Sequence, residues 1–162
     1  MIIPDIQPFE NCVFCSKAVT DKSFYSTSKF SALYNLAPIL PGHSLVIPNI
    51  HYESLIELSD QDLGEMMIFA RKVTSVLKSV FNCDGFDWTI QDGASAGQTV
   101  PHVHLHIIPR KPKDLVDGNE WYSKIPESEV QMLDSENRER LNDIEYNKIT
   151  TRLVEASRAL NK

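Results

Sequence analysis

The sequence has no long apolar run. None of its 162 residues belongs to a stretch approaching the roughly 20 apolar residues that a membrane-spanning helix needs. The segment Met1–Phe9 contains prolines and an acid where a secretory signal would have a cationic start and an apolar core. These absences predict a cytoplasmic protein with no membrane partner.

Basic residues and cysteines are also few. Sixteen Lys and Arg residues against 22 Asp and Glu residues give a net charge of −6, which argues against a partner such as duplex nucleic acid. The cysteines, Cys12, Cys15 and Cys83, are odd in number and a poor basis for a disulfide framework. The composition is otherwise that of an ordinary globular protein, and the length predicts a single domain over residues 1–162.

Four short apolar runs predict β-strands. They are bounded by turn residues, and Pro41-Gly42 between the first two predicts a hairpin. Hydrophobic residues then recur at spacings of three and four in two other regions, which predicts helices. In the first region the residues of the predicted apolar face are Leu63, Met66, Met67, Ala70, Val73, Leu77, Val80 and Phe81. The strands cover residues 29–36, 43–47, 86–90 and 101–108, and the helices cover residues 60–81 and 141–160.

The helix that begins at residue 60 has the clearer start signal, because Ser59 is suited to be its N-cap. Residues 111–134 are polar and lack a period, so we expect a mobile loop there. The expected organisation is a core over about residues 10–113, this loop, and a C-terminal helix within residues 135–162.

Three of the five histidines alternate within the fourth predicted strand. His102, His104 and His106 would face one side at spacings of about 6.5–7 Å, opposite the apolar residues between them. Packing alone does not favour such a row. A fourth histidine, His43, begins the second predicted strand.

The histidine row is open to three interpretations. The imidazoles could be satisfied core residues, or two of them could bind one zinc ion; all three could not, because the outer pair is roughly 13 Å apart. The third interpretation is nucleophilic attack on phosphorus, since a neutral imidazole is a good nucleophile near pH 7. The loop 93–99 and the basic residues Arg110, Lys111 and Lys113 offer donors for phosphate, although they also suit a solvated strand end.

Two motifs resemble the histidine triad (HIT) superfamily, and in particular its fragile histidine triad branch of dinucleoside polyphosphate hydrolases. They read PGHSLVIP at 41–48 and AGQTVPHVHLHIIPR at 96–110, the latter preceded by QDG at 91–93. The resemblance covers roughly residues 29–113. It implies an α+β fold, with an antiparallel sheet carrying the triad, a long amphipathic helix and a C-terminal helix, and commonly a homodimer. It also implies hydrolysis of a dinucleoside polyphosphate to a nucleoside monophosphate and the remaining nucleotide, through a covalent nucleotidyl-histidine.

The resemblance also assigns roles to individual residues. It makes His104 the nucleophile, and the carbonyl of His102 would orient the neighbouring ring. A divalent cation such as Mg²⁺ is a candidate cofactor bound with the substrate phosphates. The loop containing Trp121 and Tyr122 would cover the second base. The remaining assignments are His43, His106, Gln91, Gln98 and Thr99 to the phosphates, Asn35 to the ribose and Leu45 to the base.

The pair Cys12 and Cys15 departs from the fragile histidine triad branch. It is similar to the N-terminus of other histidine triad proteins and of galactose-1-phosphate uridylyltransferases, where two cysteines and two histidines hold a structural zinc ion. The matching histidines are His51 and His102, and Cys₂His₂ is a standard tetrahedral ligand set. Free core cysteines and a redox pair are the alternatives.

Two other functions fit the same motifs. One is a nucleoside phosphoramidase or a hydrolase of adenylylated conjugates, from the sister branch of the superfamily. The other is a nucleotide-binding signalling module in which catalysis only ends the bound state. The 96–99 loop and the sequence at 109–111 favour the dinucleoside polyphosphate hydrolase over the sister branch.

Overall fold

The computed structural model describes residues 12–114 and 138–160. The expected loop over residues 111–134 lies outside this part of the chain from residue 115 onward, as do Trp121 and Tyr122. No helix in the described part is both long and apolar enough to cross a membrane. The elements are α1 (Lys17–Thr20), β1 (Tyr25–Ser26), β2 (Phe30–Tyr34), β3 (Ser44–Pro48), α2 (Asp60–Phe81), β4 (Gly85–Ile90), β5 (Leu105–Arg110) and α3 (Asp143–Leu160).

The five strands form one antiparallel sheet in the order β1-β2-β3-β5-β4. The predicted hairpin is confirmed, since β2 and β3 pair with Leu33 opposite Leu45. On the other side of β3, Leu45 lies opposite His106 of β5. This register brings the segment before β3 and the residues around His106 to neighbouring positions.

The turn before β3 requires glycine. Gly42 has a φ of +98°, and a Cβ atom there would lie 2.6 Å from Cγ of Pro109 and 3.0 Å from Cδ2 of Phe81. A larger residue would therefore meet both a strained backbone and a steric clash. The conformation of this turn therefore determines the position of His43, the next residue.

Helix α2 covers one face of the sheet. Its predicted start is confirmed, because Ser59 Oγ accepts a hydrogen bond from the backbone N–H of Asp62 at 3.1 Å. It ends at Asn82, which has a φ of +49°. Leu63 and Met67, which the periodicity placed on the apolar face, are 36% and 38% exposed, whereas Met66, Phe69, Ala70, Val73, Val76 and Leu77 are buried.

The opposite face of the sheet is covered by the N-terminal segment. Leu33, Leu45 and Ile47 point to that side and pack against Phe14 and Val19. The α2 side instead gathers the larger core, which includes Val46, Leu105 and Ile107 together with Tyr146 and Leu153 of α3. Because neighbouring strand residues face opposite ways, His106 lies on the side of Phe14, away from α2.

The C-terminal helix lies within the predicted segment 135–162 and starts two residues later than residue 141, its first predicted helical position. It begins at Asp143, and Asn142 Oδ1 accepts a hydrogen bond from the N–H of Glu145 at 3.0 Å, as an N-cap does. The described residues before it are extended instead of helical, and Leu141 N donates to the Leu36 carbonyl at 2.9 Å. This hydrogen bond places the 138–141 segment beside the turn that follows β2.

The fourth predicted strand was too long at its start. Strand β5 begins at Leu105 and not at Pro101, so His102 and His104 precede the sheet ladder. The N–H of His102 donates to the Val100 carbonyl, and the N–H of Val103 donates to the Tyr52 carbonyl, each at 2.7 Å. These bonds take the place of a β-ladder, and the simple alternation of side chains begins only with β5.

Candidate active site

Three imidazoles meet at the start of β3 and the start of β5. His43 precedes β3 by one residue, His104 precedes β5 by one residue, and His106 lies within β5. The rings of His104 and His106 are 5.0 Å apart, and His43 Nε2 is 2.9 Å from His106 Nδ1. All three side chains are buried.

The tautomer of His104 follows from its backbone partner. Its Nδ1 is 2.6 Å from the carbonyl oxygen of His102. A carbonyl oxygen can only accept, so Nδ1 carries the proton and Nε2 keeps its lone pair. Burial lowers the pKa of His104, against the opposing effect of the His102 carbonyl, and so favours the neutral ring at pH 7. The result is an uncharged imidazole with one nucleophilic nitrogen.

The tautomers of His43 and His106 follow in the same way. The N–H of Ile39 donates to His43 Nδ1 at 3.2 Å, so the proton of His43 is on Nε2 and is donated to His106 Nδ1. His106 must then carry its own proton on Nε2. That atom is buried and has no hydrogen-bond partner among the described residues. His106 therefore holds an unused N–H donor beside the nucleophile.

Burial also keeps these two rings neutral. It lowers the pKa of His43 to about 3, helped by the charge of Arg138, and it lowers the pKa of His106 well below its ordinary value. A nucleophilic lone pair and a neutral N–H donor in one buried cluster suit attack on phosphorus, with hydrogen bonding to a phosphate oxygen.

A cavity of about 260 Å³ lies next to this cluster. Its walls are mainly apolar, with the polar side chains of Asn35 and Thr99 among them. Three predicted substrate residues, Asn35, Leu45 and Thr99, therefore line one space. The full lining is Val13, Phe14, Val19, Lys22, Leu33, Tyr34, Asn35, Leu36, Leu45, Thr99, Val100, Arg140 and Tyr146.

Two predicted phosphate residues lie elsewhere around the loop that precedes the histidines. The amide of Gln98 accepts from Gly93 N at 2.7 Å and donates to the Glu53 carbonyl at 2.9 Å, which holds the loop closed. Gln91 follows β4 directly and is half-buried. Their contacts with phosphate stay predictions.

Arg110, in the predicted basic cluster after the histidines, forms hydrogen bonds with two carboxylates. Arg110 donates to Asp87 at 2.6 Å and makes a two-pronged interaction with Asp114 at 2.9 and 3.0 Å. Two carboxylates thus engage the guanidinium of Arg110. The alternative of an ordinary strand end accounts for this arginine better than phosphate binding does.

A second cluster contains the predicted metal ligands. The candidate ligand atoms of Cys12, Cys15, His51 and His102 all lie within 4.8 Å of one another. His102 Nδ1 is 3.4 Å from Cys12 Sγ and 3.6 Å from Cys15 Sγ, and Cys15 Sγ is 3.4 Å from His51 Nδ1. No disulfide joins Cys12 and Cys15.

These donors fit zinc. Tetrahedral bonds from zinc to sulfur and imidazole nitrogen imply sulfur–nitrogen separations of about 3.6 Å, close to the distances between these atoms. His102 Nε2 lies 2.9 Å from the Pro48 carbonyl and donates to it, which leaves Nδ1 deprotonated as a ligand must be. Burial lowers the pKa of His102 to about 4 and so favours the neutral ring.

Phe14 connects the two clusters, and the sequence analysis did not identify it. It lies between the two cysteines in sequence, and its ring is 5.8 Å from that of His102 and 5.3 Å from that of His104. It also lines the cavity. The signal for its position was its place inside the Cys-x-x-Cys pair, whose anchoring determines where the intervening residues lie.

The sheet, the helices and the buried histidine cluster define a histidine triad protein. Residues 16–113 match the HIT domain family, and the chain belongs to that family. A solved structure titled as a zinc-bound histidine triad family protein from Mycobacterium smegmatis has the same fold. It is 25% identical, with a TM-score of 0.69 over 93% of this chain and 96% of that one.

Two curated relatives are enzymes by name. The chain is 43% identical over 116 residues to bis(5'-nucleosyl)-tetraphosphatase (asymmetrical) of Schizosaccharomyces pombe, covering 72% of this chain and 64% of the relative. It is 42% identical over 102 residues to bis(5'-adenosyl)-triphosphatase of Dictyostelium discoideum, covering 63% and 68%. The match to the S. pombe protein thus spans slightly less than two thirds of that protein's length.

Proposed function

We propose that this protein hydrolyses dinucleoside polyphosphates, such as diadenosine tri- or tetraphosphate, to a nucleoside monophosphate and the remaining nucleotide. The observation that carries the proposal is the hydrogen-bond pattern of the cluster, which leaves a lone pair on His104 Nε2 and a donor on His106 Nε2. The enzymatic names of the relatives from S. pombe and D. discoideum support the substrate class.

The proposed reaction has two steps. His104 Nε2 attacks a phosphorus atom, a P–N bond forms, and the P–O bond to the leaving nucleotide breaks with its electron pair on oxygen. The proton on His104 Nδ1 stays in place, held by the His102 carbonyl. His106 Nε2 donates a hydrogen bond to a phosphate oxygen, and His43 fixes the tautomer that makes this possible. Water then cleaves the P–N bond, releases the nucleoside monophosphate and loses one proton to solvent.

The test is product analysis with three substrates: diadenosine triphosphate, diadenosine tetraphosphate and an adenosine phosphoramidate. We expect AMP with ADP from the first and AMP with ATP from the second. Faster turnover of the phosphoramidate would favour the sister-branch activity. Slow turnover of a bound dinucleotide that dissociates more slowly still would favour the nucleotide-binding signalling module, because hydrolysis would then end the bound state.

Cys12, Cys15, His51 and His102 would hold one structural zinc ion. Zinc stabilises thiolates and joins side chains from distant parts of a chain. Here it would join the N-terminal segment to the segments around His51 and His102, and thereby fix Phe14 against the catalytic imidazole. The zinc-bound relative from M. smegmatis supports this assignment.

A homodimer is also part of the proposal. Strand β4 is an edge of the described sheet, and its Trp88 is 36% exposed. An edge strand with an exposed aromatic side chain suits a contact with a second copy. Analytical ultracentrifugation would measure the mass; a monomer at micromolar concentration would contradict the assignment.

The cytoplasmic location, the single-domain organisation and a divalent cation on the phosphates stay predictions.

A further inference from the structure

Two cationic side chains line the nucleoside cavity, and no described carboxylate does. Lys22 and Arg140 share the cavity with apolar residues and with the neutral polar groups of Asn35, Thr99 and Tyr146. The chain as a whole carries a net charge of −6. A cavity whose ionic groups are both positive in an acidic protein is suited to an anionic group on its ligand.

The fold brings both cations near the 34–36 segment, whose three residues line the cavity. Lys22 Nζ lies 5.7 Å from the centre of the Tyr146 ring, and the hydroxyl of Tyr146 donates to the Tyr34 carbonyl at 3.2 Å. On the other side, the residue after Arg140 donates its N–H to the Leu36 carbonyl at 2.9 Å. Each cation is therefore next to a residue that is hydrogen-bonded to the 34–36 segment, and Asn35 is the middle residue of that segment.

Neither cation is neutralised by a described neighbour. Lys29 pairs with Asp62 and Glu65, each at 2.9 Å, and the guanidinium of Arg110 is held by two carboxylates. Lys22 and Arg140 form no such salt bridge within residues 12–114 and 138–160. Their charges are available to a ligand in this part of the molecule.

Asn35 identifies which part of the ligand the cations face. The family resemblance assigns Asn35 to the ribose and Leu45 to the base, the two residues line the same cavity, and in the proposed function the histidine cluster binds the reacting phosphate. Two cations near the 34–36 segment are therefore placed for a charge on the ribose. Lysine and arginine are the side chains that most often bind phosphate, arginine through paired N–H donors.

We propose that Lys22 and Arg140 form a subsite for a second phosphate on the ribose, at its 2′ or 3′ position. The proposal rests on the nucleoside subsite of the proposed function and deepens it, since it adds ribose-phosphorylated nucleotides to the substrate class. A ligand of this kind would be held at two ends, by the histidines at its 5′-phosphate and by the two cations at its ribose phosphate.

The experiment uses calorimetric titration of the full chain with four nucleotides. They are AMP, ADP, adenosine 2′,5′-bisphosphate and adenosine 3′,5′-bisphosphate, and the last three are isomers of the same composition. We expect one of the two bisphosphates to bind at least about tenfold more tightly than AMP, as one or two charge-assisted hydrogen bonds would give. The advantage should shrink as the salt concentration rises.

Two double variants test whether Lys22 and Arg140 cause the tighter binding of the bisphosphate. In a Lys22→Gln, Arg140→Gln double variant the bisphosphate should bind no better than AMP, while the affinities for AMP and ADP change little. An Arg71→Gln, Lys72→Gln double variant removes the same charge from the exposed surface of α2 and should behave as wild type. Retained AMP binding would show that a variant is folded.

Three outcomes would overturn a proposal. If AMP binds but neither bisphosphate binds more tightly, the ribose-phosphate subsite is wrong and the proposed function stands. If the double variant weakens ADP as much as the bisphosphates, the cations serve the polyphosphate chain instead. If no adenine nucleotide binds wild-type protein, the nucleoside subsite itself is wrong, and the proposed function fails with it.

Discussion

The two histidine clusters use the same side chain for different chemistry. In the Cys12, Cys15, His51, His102 cluster, imidazole Nδ1 atoms lie next to thiols. In the His43, His104, His106 cluster, the described hydrogen-bond partners of the rings are a carbonyl, a backbone N–H and another imidazole. Thiols supply the negative charge that holds a metal ion, whereas neutral partners fix tautomers and leave a nucleophile. The partners of an imidazole, more than its burial, decide what it does.

Residue 102 belongs to both clusters. Its side chain lies with the thiols, and its carbonyl oxygen holds the proton of His104. Phe14 makes a second connection, because its ring contacts both His102 and His104. The two clusters are therefore adjacent and mechanically linked, although their chemistry is separate.

The largest expected effect comes from a change in the His43, His104, His106 cluster that leaves the Cys12, Cys15, His51, His102 cluster intact. In His104→Ala the covalent route is gone, so we expect turnover to fall by a factor on the order of 10⁴ or more. Dinucleotide binding and zinc content should be nearly unchanged, because most contacts and all four metal ligands lie on other residues. Trapping of labelled nucleotide on the protein checks this; substantial turnover by the pure variant would reject the assigned role of His104.

The next largest effect is expected from a change in the Cys12, Cys15, His51, His102 cluster. Cys12→Ser, Cys15→Ser should take zinc from close to one ion per chain to none and lower the Tm by about 10 °C or more, because the binding energy of a structural zinc is coupled to folding. Activity should fall only indirectly, since His104 is not a ligand. Metal analysis and calorimetry test this, with Cys83→Ser as the matched cysteine control. Wild-type protein free of zinc, or a Cys12–Cys15 disulfide, would refute the metal site.

A smaller effect tests the link between the clusters. Phe14→Leu keeps an apolar side chain but loses the ring contacts, so we expect KM to rise about fivefold, the equivalent of about 1 kcal/mol. Zinc content should stay at the wild-type level. Steady-state kinetics and metal analysis measure the two quantities; an unchanged KM would mean that Phe14 only fills space.

The smallest effect is expected from a variant outside both histidine clusters, which serves as a reference for the other variants. Ser59→Ala removes the N-cap of α2 and should lower the free energy of unfolding by about 1 kcal/mol. Urea denaturation measures that loss, and kinetics and zinc content should match wild type. Any change in zinc content here would show that global destabilisation alone releases the metal, and would weaken the inference from the cysteine variant.

Local patterns predicted the elements whose determinants are local. The capped helix α2 and the β2–β3 hairpin follow from residues close in sequence, such as Ser59 and Gly42. The late start of the histidine strand could not be predicted, because it depends on a hydrogen bond between Val103 and the distant Tyr52. The helix face was also partly misjudged, since Phe69 and Val76 occupy the core where Leu63 and Met67 had been expected.

The site shows the same difference between features that local sequence determines and features that tertiary contacts determine. Asn35, Leu45 and Thr99, which the family resemblance assigned to the substrate, line one cavity, and their contacts with a substrate stay predictions. Lys22 and Arg140 carry no motif, and they are more than 100 positions apart in the sequence. Only the tertiary contacts of α1, the 138–141 segment and α3 bring them to the same cavity.

The carbonyl of residue 102 has a consequence for mutational screens. Because the group that fixes the His104 tautomer belongs to the main chain, no replacement at position 102 deletes it. A scan of side chains would record His102 as a residue of the metal cluster and would not detect its effect on the nucleophile. Replacement of that side chain therefore tests the proposed metal site while the group that fixes the His104 tautomer stays in place.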